Sequence, residues 1–177
     1  MILNAQKFNY LILFLVGTII LTACSINNKV DKVTSNQSSF SKDSYAGLKI
    51  NDKASSYKLD EIEDSRINEC YFANNGLETD VQFQIINDKI SVISTKDINI
   101  SSYTDINVGE DEEKIYAKHE SKLLQQIKNP YGESGDYALI LWNDASKKVG
   151  TRYDVEDKVI TSISIGNENL TLMEGCA

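Results

Sequence analysis

Two stretches of this chain alternate apolar and polar residues around a polar dipeptide, and that period of two restricts the fold more than any other feature. Val81-Gln82-Phe83-Gln84-Ile85 alternates as a half-buried strand does, since successive strand side chains point to opposite faces. Asn87-Asp88 separates it from the run 89–94, and a polar pair between two such runs predicts a hairpin turn. Tyr137-Ala-Leu-Ile-Leu-Trp142 predicts an apolar strand ended by the turn formers Asn143-Asp144. The run 151–155, the pair Glu156-Asp157 and the run 158–165 predict a second hairpin.

The hairpins match one another. Ile86-Asn87-Asp88-Lys89-Ile90 aligns with Val155-Glu156-Asp157-Lys158-Val159, 69 positions later. The segment from Gly47 aligns with that from Asp105 at an interval of 58, Ile50 falling on Val108. In both segments an apolar pair leads into a polar turn and a short helix start. The resulting expectation is an α+β domain over 45–177. It is built from two repeats, 45–100 and 101–177, each a short helix followed by an antiparallel β-meander and packed together as one domain.

Ahead of this domain, Lys7 precedes a continuous apolar centre at 10–16, and small residues follow, as in a secretory signal peptide. Asn9, Gly17 and Thr18 interrupt the stretch, which is too short for a membrane span. Leu21-Thr22-Ala23-Cys24 closes it and resembles the lipobox of bacterial lipoproteins, whose cysteine receives a diacylglycerol thioether and becomes the first mature residue. The resemblance implies a signal peptide over 1–23, lipidation (palmitate-type acyl chains) of Cys24, and a membrane anchor with no spanning helix. One acyl chain binds a membrane only marginally and two or three hold, at about 0.8 kcal/mol per buried methylene. Ser25 follows the cysteine; in a Gram-negative host the resemblance implies the outer membrane, facing the periplasm. Residues 24–44 are rich in Ser, Asn and Lys without periodicity and read as a flexible tether.

Of three cysteines, Cys24 takes the lipid, which leaves Cys70 and Cys176 as an even pair in an oxidising compartment, predicted to be bridged. The chain carries 26 acidic and 18 basic residues, a net charge of −8, and loss of Lys7 with the signal peptide makes it −9. Such a surface is unsuited to nucleic acid, which needs clustered Lys and Arg.

The Cys70-Tyr71-Phe72 strand, Asn129-Pro130-Tyr131, Gly135-Asp136-Tyr137 and the terminal Glu174-Gly175-Cys176 together resemble a group of uncharacterised bacterial envelope lipoproteins. The unit of short helix plus meander is similar, at a greater distance, to the SmpA/OmlA (BamE-like) domain and to the repeats of β-lactamase-inhibitor proteins. The resemblance spans roughly Gly47 to Cys176 and implies a helix-plus-sheet binding scaffold. The first repeat departs from it, with Asn51-Asp52 where glycine is usual. In one segment the two readings part. Tyr116, Leu123 and Ile127 are spaced for a helix face, whereas the resemblance ends the helix near Glu120 and makes 122–128 a strand, the reading preferred here.

No catalytic, cofactor or metal residue is assigned. His119 is the sole histidine, in a polar stretch late in the expected helix, with no nucleophile elbow anywhere; it reads as a solvated helix-end residue. One histidine and two bridged cysteines do not make a zinc site. Counted from Asp105, the acidic run Glu110-Asp111-Glu112-Glu113 puts Gly109 and Tyr116 where a calcium loop needs other residues. It reads instead as a first helical turn. Trp142 and Tyr131, Tyr137 and Tyr153 are expected in or beside the sheet core. The function expected is that of a lipid-anchored, non-catalytic envelope protein, partnered through protein binding or assembly support. The alternatives are a periplasmic inhibitor of a hydrolase such as lysozyme, and a hydrolase of unknown substrate.

Overall fold

Both expected hairpins form the centre of one antiparallel sheet. The computed structural model describes residues 39–76 and 80–176. Its strands are β1 (Ser44–Tyr45), β2 (Leu48–Lys49), β3 (Asp60–Glu61), β4 (Cys70–Asn74), β5 (Val81–Ile86), β6 (Lys89–Thr95), β7 (Leu124–Lys128), β8 (Tyr137–Trp142), β9 (Gly150–Glu156) and β10 (Val159–Gly166). The pair β1-β2 stands apart, and the other eight form a sheet in the order β3-β4-β5-β6-β10-β9-β8-β7. Each half is a meander, and the two halves join through their last strands, β6 and β10, paired antiparallel.

The α+β expectation is corrected by this architecture. The described residues hold a single six-residue helix, α1 (Glu113–Lys118), and three 3-10 turns at Ala54–Ser56, Ser121–Leu123 and Glu168–Thr171. The chain is mostly β, and helix-plus-meander repeats are not its building units. The physical reason lies in burial. Among their residues, α1 buries only Ile115 and the first turn only Ala54, too little apolar surface to extend a short helix whose nucleation is costly. The strand reading of 122–128 holds from Leu124, after the turn.

What the halves share is a strand pattern. Each central hairpin closes on two residues with positive φ, Asn87 (51°) and Asp88 (58°) in one, Asp157 (48°) and Lys158 (67°) in the other. That geometry matches the right-handed twist of the strands. Each carries a bulge with its extra residue three positions past the turn, Ser91 in β6 and Thr161 in β10. The structural interval is therefore 70 and not the 69 read from the shared Asp-Lys pair. Setting Val155 opposite Ile160, both buried, requires the turn at Asp157-Lys158 and leaves Val159 exposed. The preceding segments keep their interval of 58. Asn51 N–H donates to Ile90 O at 2.8 Å, as Gly109 N–H does to Ile160 O. The Ile90 and Ile160 amides donate back to Asp52 O and Glu110 O. Asn51 stands in place of the usual glycine because it adopts the same left-handed backbone, φ 73° against 87° at Gly109.

At an interval of 70, the contact Ser94↔Ser164 across the β6–β10 seam maps onto itself, so an approximate two-fold axis passes between these serines. One face of the sheet, with Phe83, Ile85, Ile93, Tyr153, Val155 and Ile163, forms the core with the apolar residues of 40–54 and 100–115. Phe40, 2 % exposed, stacks edge-on to Tyr45 with ring centroids 5.2 Å apart, and its amide donates to Ser101 O. The folded part therefore takes in residues 39–44, which the sequence reading placed in the tether. An isolated Phe in a polar run has no periodicity to announce its burial.

Candidate functional site

The opposite, outer face of the sheet carries the polar halves of the alternating strands. On β9, Arg152 and Asp154 lie two residues apart and so share this face. Arg152 is 9 % exposed, and its donors are matched. Nε and Nη2 donate to Asp154 Oδ1 at 2.8 and 2.6 Å, and Nη1 donates to the carbonyls of Leu170 and Leu172 at 2.9 and 2.8 Å. Ser162 Oγ donates to the second carboxylate oxygen of Asp154 at 2.9 Å. The guanidinium thus holds down the C-terminal strap, residues 167–176, which runs over the outer face after β10. At the start of the strap Asn167 Nδ2 donates to Asn51 Oδ1 and Asn169 Nδ2 to Ser91 Oγ. At its end Cys176 is disulfide-bonded to Cys70 on β4, with Cα atoms 5.3 Å apart.

Between strap and sheet lies a groove of about 290 Å³, with Gln84, Ser94, Ser162 and Ser164 in its floor and Met173 and Glu174 on its strap side. A second cavity of the same volume, lined by Asp80, Gln82 and Lys96, continues it and shares Ser94 and Ser162. Phe72 also faces the groove, but the strap packs on it: a Cβ at Gly175 would stand 2.7 Å from the ring.

The sequence-derived candidates are distributed as follows. Cys24 and the rest of 1–38 lie outside the described residues. Cys70 and Cys176 are joined as expected. His119 is the C-cap of α1 but is half-buried rather than fully solvated. Its Nε2 lies 3.4 Å from Thr104 Oγ1, which in turn is 3.0 Å from Ser102 Oγ and 3.2 Å from the hydroxyl of the buried Tyr153. Burial, with a smaller contribution from Lys118, lowers the histidine pKa below its usual value. The acidic run packs locally. Burial would raise the Glu110 pKa, but Lys114 Nζ at 2.6 Å and the Asn107 amide at 2.7 Å outweigh it, so the pKa falls. Asp111 Oδ1 accepts from Glu113 N–H. Trp142 is partly buried, as expected, and its indole donates to Gln125 Oε1 at 2.9 Å. Tyr153 is in the core and Tyr137 packs against it, whereas Tyr131 is 68 % exposed.

Sequence reasoning missed Arg152, Asp154 and the outer-face serines. The signal was present in Thr151-Arg-Tyr-Asp-Val155: opposite charges two apart in a strand face the same side.

No family model matches the chain, and no curated protein does. Among solved structures it is similar to an extracellular protein containing an SCP domain from Bacillus anthracis strain Ames, at 10 % identity and a TM-score of 0.44. The match covers 76 % of this chain and 49 % of that one, so this chain spans about half of the other protein's length. A likeness at that level carries no argument about fold or function. Among the described residues no helix is long and apolar enough to cross a membrane.

Proposed function

We propose that this chain is a lipid-anchored, non-catalytic protein of the bacterial envelope that acts by binding an envelope protein or by supporting assembly. The observation that carries the reading is the cysteine arrangement. Two of three cysteines form a long-range bridge of the kind kept in oxidising compartments, and the third ends the Leu21-Thr22-Ala23-Cys24 motif. A binding role is supported by how the polar side chains are used. Arg152 and Asp154 hold the strap, and His119 belongs to a structural network around Tyr153, so these groups serve the fold rather than proton transfer.

Mass spectrometry of the protein isolated from its native envelope tests the anchor. The expected result is acyl mass on the peptide beginning at Cys24, together with a Cys70–Cys176 linked peptide lighter by two hydrogens. A chain that retains residues 1–23 unacylated overturns the reading. Crosslinking in the intact envelope, followed by identification of the linked protein, tests the partnership. The net charge of −8 favours a second reading, steering toward a basic hydrolase such as lysozyme. Failure to retain lysozyme at low salt removes that reading.

A further inference from the structure

The two ends of the eight-stranded sheet are finished differently. At one end β3 is two residues long, and both of them, Asp60 and Glu61, are exposed acids. A short, charged edge of that kind discourages a further strand. At the other end β7 is five residues long, and its register with β8 runs without a bulge. It contains no proline; the single proline of the chain, Pro130, comes after it.

The hydrogen-bond pattern fixes which main-chain groups of β7 face away from the sheet. In an antiparallel pair alternate residues turn both N–H and C=O toward the neighbour. The Asn129 amide donates to Asp136 O at 3.1 Å just beyond β7, and on the far side of β8 the Asn143 amide donates to Val149 O at 2.9 Å. Both bonds set Gln125 and Ile127 toward β8 and turn Leu124, Gln126 and Lys128 outward. The Leu124 amide is used by the turn before it, donating to Ser121 O. Left unpaired among the described residues are Leu124 O, Gln126 N–H, Gln126 O and Lys128 N–H. They are the alternating donors and acceptors that a further strand requires.

The side chains beside this row choose among strands. Leu124 packs against the core, with Gln126 and Lys128 on the same face; Gln125 and Ile127, both half-buried, lie on the other. Lys128 is exposed and makes no ion pair among the described residues. Lys147 reaches the Gln125 side, with Nζ 3.1 Å from Gln125 Oε1, and likewise meets no carboxylate there. In a chain of net charge −8, two uncompensated ammonium groups at one strand edge are a local reversal of sign. Pairing with a second copy around Gln126 would set each Lys128 against the other chain's Leu124 and join two acidic molecules. The edge suits instead an extended segment with a carboxylate facing each lysine and apolar side chains beside Leu124 and Ile127.

We propose that β7 is a strand-addition site, at which the partner protein pairs antiparallel through an extended acidic segment. The inference rests on the protein-binding reading above and names the chemistry of that partner.

The test is a titration of the full chain, in a detergent with a neutral headgroup, with the peptide acetyl-Glu-Ile-Thr-Glu-Val-amide. Laid antiparallel, it sets a Glu opposite Lys128 and another opposite Gln125, beside Lys147, with Ile opposite Ile127 and Val opposite Leu124. The control peptide has Lys in place of both Glu. Amide NMR should show saturable shifts centred on residues 124–128, and hydrogen exchange at the Gln126 and Lys128 amides should slow about 10-fold or more. The control should bind about 10-fold more weakly. Gln126→Pro removes an outward donor but no bond to β8, so affinity should fall about 10-fold while the β8 resonances stay in place. Lys128→Glu leaves the backbone alone and should reverse the preference between the two peptides. The proposal is overturned by no shifts at 124–128, by exchange at the two amides that the peptide leaves unaltered, by equal binding of both peptides, or by a dimer formed through β7 without peptide. A failed titration together with a partner crosslinked to another face would remove this site and leave the protein-binding reading standing.

Discussion

The halves of the sheet share a backbone and differ in what their outer faces are asked to do. Across the two-fold axis Gln82 and Gln84 correspond to Arg152 and Asp154, and inside the core Phe83 corresponds to Tyr153. The half β3–β6 holds the strap covalently, through Cys70 on β4, and in β5 the outward positions are two neutral amides. In β7–β10 they form a charge pair that grips the strap, and the inward tyrosine requires the Thr104 hydroxyl that phenylalanine does not. Turns, bulges and backbone ties persist because they are set by main-chain geometry; the outward residues are free to diverge because the pleat sends them away from the core. A duplicated skeleton can thus grip one strap by a charged side chain in one half and by a covalent bond in the other.

Several substitutions would break or sharpen this contrast. The largest effect is expected at the bridge that ties one half to the strap of the other. Cys70→Ser with Cys176→Ser opens a link across 106 residues. Urea unfolding should read a loss of up to ~4.7 kcal/mol in the chain-entropy model; a negligible loss would mean that Arg152 alone secures the strap. Next, Arg152→Gln should cost about 3 kcal/mol by stranding the Asp154 carboxylate and two carbonyls. Adding Asp154→Gln makes this half resemble the other and should restore ~1–2 kcal/mol, a coupling that a double-mutant cycle measures. Smaller again, Lys158→Gly relieves a left-handed lysine and should raise stability by about 1 kcal/mol in the same assay. Its counterpart Asp88→Gly should gain less, because the Asp88 carboxylate accepts from the Ser55 amide and hydroxyl.

The smallest effect concerns pH. His119 has a folded pKa below its unfolded value near 6.5, so the unfolded state binds more protons as the solution is acidified. Its contribution to stability is complete above the unfolded pKa and is lost as pH falls through the folded one. Thermal midpoints measured from pH 7.5 downward should show this decline, and His119→Gln should reduce its slope. An unchanged slope would remove the histidine from the network around Tyr153.

The strands were legible where inward residues kept strict alternation, as in Val81-Gln-Phe-Gln-Ile85, because burial on one face writes itself into every second position. The turn of the second hairpin was misread by one residue, since the shared Asp-Lys pair carries less information than the opposition of Val155 and Ile160. Helix was overestimated in the repeats, where acids at 110–113 and a polar turn after Ile50 promised longer helices, because neither signal measures how much surface an element buries. The groove was invisible for a different reason. Its floor consists of outward residues that alternation treats as solvent-facing, and the strap that encloses it has no period.

The order of strands also determines when the sheet becomes whole. β10 is the last strand in the chain, yet it occupies the middle, between β6 and β9. A polypeptide that emerges N-terminus first exposes the bare edge of Lys89–Thr95, rich in β-formers, throughout the time needed to deliver 159–166. Until then the early half is open to pairing with a neighbouring molecule, and a product terminated before position 159 would never be relieved of that hazard.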